Sequence, residues 1–138
     1  MKVSLLYIGR PRDRAANLLA EEYARRIGRF CDFRMQEVRS EKALDAHERA
    51  FKVLLDPAGR ELSSTELARF IEKAQNNSVR ELLFLVGGAD GLSDAARQKA
   101  QLLLALSRLT LPHELARVIL AEQIYRAFTI LKNHPYAK

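Results

Sequence analysis

Two segments rich in glycine or proline follow short apolar runs and could bind a ligand through their backbone. Residues 87–91, Gly-Gly-Ala-Asp-Gly, come directly after the apolar run 82–86, and residues 56–59, Asp-Pro-Ala-Gly, follow the run 53–55. Open α/β sheets bind ligands at the carboxyl ends of their strands, where glycine lets a ligand approach the main chain. Neither segment has the spacing of a dinucleotide fingerprint or a phosphate loop. A cofactor loop and a tight turn are therefore equally good interpretations of both.

A third segment, residues 107–112, offers mainly backbone polar groups. Backbone N–H and C=O groups between apolar side chains can bind an adenine, and small-molecule pockets commonly have this composition. Leucine and β-branched residues ahead of Pro112 also predict a short last strand, with the proline at the first turn of the following helix. The pattern alone favours the second interpretation.

Charged residues interrupt an apolar stretch near the end of the chain. The pairs His113–Arg117 and Glu122–Arg126 have the i,i+4 spacing of helical ion pairs, although arginines in such a helix could also hold phosphates. The residues assemble no Ser/His/Asp, Cys/His or paired-carboxylate arrangement, so covalent catalysis is not indicated. Because apolar residues lie on more than one face, we expect this helix to be buried inside the domain or against a partner subunit.

The composition indicates one globular domain covering residues 1–138. Hydrophobic residues make up 48% and charged residues 29%, and the net charge of +6 makes a polyanion a plausible partner. Cys31 is the single cysteine and there are three histidines, so the sequence predicts a cytoplasmic protein without disulfide or metal site. The longest apolar runs have five residues, far fewer than the roughly 20 that span a bilayer, so no membrane association is expected.

The first half of the chain alternates between strand and helix patterns. Residues 3–8 form an apolar run that predicts a strand, and the next apolar residues recur at helical spacing: Leu18, Leu19, Tyr23 and Ile27. Residues 33–38 alternate between apolar and polar, which is typical of a half-buried strand. A polar, helical stretch is predicted from there to about Ala50. The run 53–55 predicts a strand that must reverse at residues 56–59.

The second half continues the same alternation. Ser63 and Glu66 predict a capping box for a helix that ends near residue 76, and residues 82–86 predict a strand buried on both faces. Ser93 can cap another helix, and a last helix is predicted from His113 to about Lys132. About five strands alternating with helices predict an α/β fold with a mostly parallel sheet and helices on both faces.

The segments just described closely resemble one family, the bacterial large-subunit rRNA pseudouridine N3-methyltransferases of the SPOUT class. The resemblance covers nearly the whole chain and is most specific near its end. It is carried by residues 54–59, 63–64, 84–92, 107–114, 117–118, 122–127 and 135–136, with Gly9 and residues 22–27 in the first unit.

The resemblance implies a C-terminal trefoil knot that binds S-adenosylmethionine at three strand ends. It places cofactor contacts at eight positions of this sequence: Leu55, Gly88, Ser107, Arg108, Leu109, Thr110, Leu111 and Pro112. It also implies a homodimer with the knot at the interface and an active site composed from both subunits. Metal is not required for the chemistry that the family performs.

The implied reaction is methylation of N3 of a pseudouridine in 23S rRNA, in the assembled ribosome, as part of rRNA processing. Arg117, Arg126, Tyr136 and Lys138 are expected on the substrate side, with Glu122 orienting an arginine. The family pattern ends Pro-Tyr-His and a basic residue, whereas this chain has Ala137 after Tyr136. Two alternatives therefore stay open: a catalytically impaired RNA- or ribosome-binding module that keeps the cofactor, and a flavodoxin-like binder of another nucleotide.

Overall fold

The fold is an alternation of five strands and four helices in a computed structural model that describes residues 1–137. Two short 3₁₀ segments, Glu41–His47 and Pro135–Ala137, complete it. The elements are β1 (Lys2–Ile8), α1 (Arg14–Ile27), β2 (Asp32–Val38), β3 (Phe51–Glu61), α2 (Ser64–Asn76), β4 (Glu81–Val86), α3 (Asp94–Gln98), β5 (Leu102–Ala105) and α4 (His113–Leu131).

All the strands of the sheet run parallel, in the order β2-β1-β4-β3-β5. Side chains alternate across the sheet, so Leu5 and Phe84 face the core formed with α1, α2 and α4. Leu6 and Leu85 face a second, smaller core against the 3₁₀ segment Glu41–His47 and α3. The predicted α/β class with helices on both faces is confirmed. The trefoil knot stays a prediction.

The helix starts agree with their capping signals. Asp13 caps α1 by accepting from the Ala16 N–H at 3.0 Å, and Ser93 caps α3 by accepting from the Ala96 N–H at 3.1 Å. The capping box of Ser63 and Glu66 at the start of α2 is present as predicted. α4 starts after Pro112, whose fixed φ suits a helix start.

Two predicted boundaries are wrong. β3 does not reverse at residues 56–59; it continues to Glu61, with a register shift against β5 between Leu55 and Arg60. Residues 107–112 form no strand, because the strand that pairs with β3 is the preceding apolar run, β5. Residues 107–112 are instead the loop that leads into α4.

The apolar surface of α4 is covered largely within one chain. α4 lies against the sheet between α1 and α2, and most of its residues are buried, including Leu120, Ile124 and Phe128. α4 is therefore buried inside the domain, which is one of the two alternatives that the sequence left open, and its composition does not by itself require a partner subunit. Within residues 1–137, no helix is both long and apolar enough to cross a lipid bilayer.

Candidate active site

A cavity of about 550 Å³ opens where the carboxyl ends of β3 and β4 meet the loop ahead of α4. Seven of the eight predicted cofactor positions line it: Leu55, Gly88, Ser107, Leu109, Thr110, Leu111 and Pro112. Arg108, the eighth, is exposed and is absent from the lining that residues 1–137 provide. The fold thus brings together three segments that are far apart in sequence.

The walls of the cavity are mostly apolar side chains and main chain. Ser107 Oγ accepts a hydrogen bond from the Leu109 N–H at 2.9 Å, which turns the loop and leaves the Leu109 side chain 77% exposed. A Cβ placed on Gly88 would meet only Ile8, at an ordinary 3.7 Å. Packing within the protein therefore does not require glycine at position 88.

Asp56 belongs to one of the two segments that the sequence offered as a ligand loop, and it lines the cavity, but the sequence did not reveal its partner Arg97. Its carboxylate is buried, accepts from the Ala58 N–H at 2.8 Å and pairs with Arg97 of α3. The Ala58 hydrogen bond and the Arg97 guanidinium lower the pKa of Asp56 despite its partial burial. The pair holds residues 56–59 in place. Its only sequence signal was an aspartate at the end of a strand, because Arg97 is 41 residues further along the chain.

Gly59 explains how β3 can continue past the cavity. A Cβ at this position would lie 2.7 Å from the Leu103 carbonyl carbon and oxygen and 2.8 Å from the Leu104 nitrogen, all backbone atoms that cannot move aside easily. Glycine therefore permits the close approach of β3 and β5 beyond the register shift. The segment 56–59 becomes a bulge in the sheet that forms one wall of the cavity.

Arg117 lies beside a second, much smaller cavity of about 10 Å³, close to the space that one water molecule needs. Its side chain is 1% exposed, stacks on the Tyr7 ring at 4.0 Å and donates from Nη2 to Asn17 Oδ1 at 2.9 Å. Among the described residues Nη1 has no acceptor. Arg117 therefore contacts Tyr7 of β1 and Asn17 of α1 instead of its predicted partner His113. The small cavity and the large one share Val86, Gly87 and His113.

Arg126 lies further along α4 in a different cluster, which also contains Tyr136 of the 3₁₀ segment Pro135–Ala137. Arg126 pairs with Glu122 at 2.9 Å, and the Tyr136 hydroxyl donates to the same carboxylate at 2.7 Å. The Tyr136 and Tyr23 hydroxyl oxygens are 3.3 Å apart. Burial, followed by these two neighbours, raises the pKa of Tyr136, and the Glu122 carboxylate raises the pKa of Arg126.

The predicted substrate-side residues therefore do not all meet within one chain. Arg126 is nine residues beyond Arg117, which corresponds to about 13 Å along a helix axis at 1.5 Å per residue. Lys138, predicted with them, lies outside the described residues. In the part of the chain that is described, no group of three or more histidine, cysteine, aspartate or glutamate side chains could hold a metal ion.

The whole sequence matches a known family. The family model described as "Predicted SPOUT methyltransferase" matches residues 1–137. The chain belongs to the SPOUT methyltransferases. The protein named ribosomal RNA large subunit methyltransferase H from Solibacter usitatus is 47% identical over 140 residues, covering 100% of both chains. Its namesake from Gloeobacter violaceus is 39% identical over 151 residues, covering 99% of this chain and 98% of that one.

A solved structure supports the SPOUT fold. A Legionella pneumophila protein described as a candidate methyltransferase, in complex with bound SAM, superposes with a TM-score of 0.55 at 12% identity. The match covers 92% of this chain, which spans 66% of the length of that protein. At this identity the likeness concerns the fold. The cofactor contacts predicted for this SPOUT chain stay a prediction.

Proposed function

We propose that the protein transfers a methyl group from S-adenosylmethionine to N3 of a pseudouridine in 23S rRNA. The observation that carries the proposal is the convergence of three segments on one cavity at the carboxyl edge of the sheet. Full-length relatives named large-subunit rRNA methyltransferases support the substrate class, and SAM bound in the Legionella protein supports the cofactor. We expect the enzyme to act on assembled ribosomes in the bacterial cytoplasm.

The cavity fits S-adenosylmethionine in size and in chemistry. Its volume of about 550 Å³ lies within the roughly 300–1,000 Å³ of small-molecule sites. Leu106, Leu109 and Leu111 provide apolar surface for an adenine, and the main chain of residues 107–112 provides N–H and C=O groups. Gly88 leaves the opposite wall open. We propose Leu55, Gly88 and residues 107–112 as the binding segments.

The residues of the chain must make the N3 atom of the base nucleophilic. S-adenosylmethionine supplies an electrophilic methyl group on a sulfonium, so an N–C bond forms as the C–S bond breaks and S-adenosylhomocysteine leaves. The imide N3 loses its proton to solvent water, and a guanidinium nearby favours the resulting anion. Arg117 is held by Tyr7 and Asn17 beside the small cavity that adjoins the large one, so it can place positive charge near the base without rearranging.

A homodimer would complete this site. Leu18, Leu19 and Leu115 are 55%, 47% and 47% exposed, and the Asn17–Arg117 hydrogen bond joins the helical turns that carry them. These side chains, together with the exposed Leu109 beside the cavity, offer apolar surface to a second copy of the chain. We propose that the second copy brings its Arg126 and Tyr136 to the cavity, since one chain keeps them far from Arg117.

The dimer predicts a sedimenting species of about 31 kDa, twice the chain mass of 15.7 kDa. Leu115→Asp should yield monomers, because a carboxylate placed in an apolar interface loses its hydration without a partner. Ala95→Asp on the opposite side of the sheet is the matched control and should stay dimeric. A concentration-independent monomer for the unchanged chain would exclude the dimer.

The function is tested by transfer of radiolabelled methyl groups to 23S rRNA in ribosomes that lack the modification. The unchanged chain should transfer label, and calorimetry should show binding of S-adenosylmethionine and S-adenosylhomocysteine but not FMN. Gly88→Val should weaken cofactor binding about tenfold or more, because an overpacked contact costs roughly 1–3 kcal/mol. Its thermal unfolding should change little, since the folded chain has room beside Gly88.

Each alternative has its own result. Binding of S-adenosylmethionine and ribosomes without any methyl transfer would identify the impaired binding module. Binding of FMN in place of S-adenosylmethionine would identify a nucleotide binder of the flavodoxin type. If Gly88→Val binds the cofactor normally while folded, the cofactor site is not in this cavity.

A further inference from the structure

The loop between β1 and α1, residues 9–13, carries an unusual concentration of exposed arginines. Arg10 and Arg12 are in the loop and Arg14 begins α1, and all three are exposed. Within residues 1–137 none of the three takes part in an ion pair or a side-chain hydrogen bond. Three guanidinium groups are therefore available to an external anion.

The backbone of this loop is fixed, so its arginines are held in one region. The Glu114 carboxylate at the start of α4 accepts hydrogen bonds from the N–H groups of Arg12 at 2.7 Å and Asp13 at 3.1 Å. The hydrogen bonds from Asp13 and Arg12 lower the pKa of Glu114. Asp13 in turn caps α1. A loop whose backbone is held at residues 12 and 13 loses less entropy when it binds.

The loop also lies beside the proposed active site. Gly9, Arg10 and Pro11 line the small cavity together with Arg117, and that cavity shares Val86, Gly87 and His113 with the large one. The buried Arg117 Nη1 atom still needs an acceptor at this place. A buried donor without an acceptor is unfavourable, and the small cavity has room for one water molecule that would satisfy it.

From these observations we infer that Arg10, Arg12 and Arg14 bind the phosphate backbone of the substrate RNA beside the target base. The inference rests on the proposed function and assigns the position of the RNA on this face of the enzyme. Guanidinium groups suit phosphate because they donate two parallel hydrogen bonds to it. Glu114 is a positioning residue here, because it acts through the backbone of the loop and does not touch the RNA.

The arginines at the other end of the sheet provide a matched control. Arg29, Arg49 and Arg80 are also exposed, and they lie just ahead of β2, β3 and β4. Because every strand is parallel, these positions are at the amino edge of the sheet, opposite the cavity. Replacing either set with alanine removes three positive charges, so only the location of the charges differs.

The test compares the triple variants R10A/R12A/R14A and R29A/R49A/R80A in filter binding to ribosomes whose 23S rRNA lacks the methyl group. At about 0.1 M salt the loop variant should bind about ten- to a hundredfold more weakly than the unchanged chain. Its slope of log K against log salt should become shallower by about 2, because each contact to a single-stranded phosphate contributes about 0.7. The amino-edge variant should stay within about threefold of the unchanged chain.

Three results separate the possible failures. Equal losses in the two triple variants would mean that only net charge matters and would overturn the inference. An unchanged chain that methylates rRNA, with a loop variant as active and as tightly bound as the control, would overturn the inference while the proposed function stands. An unchanged chain that neither binds nor methylates rRNA would overturn both. S-adenosylmethionine binding should be unaltered in both triple variants, and its loss in the loop variant alone would also contradict an RNA role.

Discussion

Ala137→His is expected to raise the rate of methyl transfer by about 10²–10⁴-fold at saturating S-adenosylmethionine. A histidine there could hydrogen-bond the target base or accept the N3 proton, and alanine can do neither. The neighbouring His134 is a poor substitute, because its Nδ1 already accepts the Tyr136 N–H at 3.2 Å. The measurement is single-turnover methylation of ribosomes that lack the modification, together with calorimetry of cofactor binding, which should change little.

Ala137→Phe is the control for the size of the side chain. It fills similar space at position 137 without a titratable nitrogen, so it should leave the rate low. If the unchanged chain already turns over rapidly and histidine adds nothing, position 137 takes no part in proton transfer. The arginines would then be sufficient for the reaction.

Arg126→Ala is expected to lower kcat by about 10²–10³-fold while the affinity for S-adenosylmethionine stays within about twofold. The fall follows from removing a positive charge that Glu122 and Tyr136 hold in one orientation. The cofactor affinity should be preserved because Arg126 does not line the cavity that residues 1–137 enclose. Steady-state kinetics with ribosomes and calorimetry with the cofactor measure the two effects separately.

Arg26 provides the comparison for Arg126. It also pairs with a glutamate one helical turn away, at 2.7 Å, and its guanidinium lies over the Tyr23 and Tyr125 rings. Arg26→Ala should therefore reproduce the structural consequences of losing such an arginine without the loss of kcat. Parallel losses of kcat, cofactor affinity and thermal stability in Arg126→Ala would indicate a purely structural ion pair.

The helices and strands could be predicted from sequence wherever the local residue pattern agrees with the way the segment packs in the folded chain. Residues 82–86 are apolar throughout, and they form a central strand buried on both faces. The strand predicted for residues 107–112 does not form, because a leucine-rich segment becomes a strand only if a neighbouring strand offers it a free edge. β5 takes the free edge of β3 first, and the next residues are left to form a loop.

The cavity could be predicted in part, because strand ends in a parallel sheet share one edge. The contacts between the cavity residues and distant residues could not be predicted. No periodicity relates Asp56 to Arg97, or Arg117 to Tyr7, since those contacts depend on how distant segments cross in the folded chain. The resemblance implies that Arg117, Arg126 and Tyr136 act together. One chain instead holds Arg117 apart from Arg126 on α4 and from Tyr136 in the 3₁₀ segment that follows α4.

The two walls of the cavity differ in how much order they have before any ligand arrives. Residues 56–59 form the bulge between Leu55 and Arg60, both of which pair with β5, and they are held further by the Asp56–Arg97 pair and by the close contact of Gly59 with β5. Residues 107–112 have neither strand nor helix pairing. The conformational entropy lost when a ligand binds is therefore concentrated in the six residues 107–112. This loop is also the part of the cavity that can change shape, while the wall formed by residues 56–59 stays rigid.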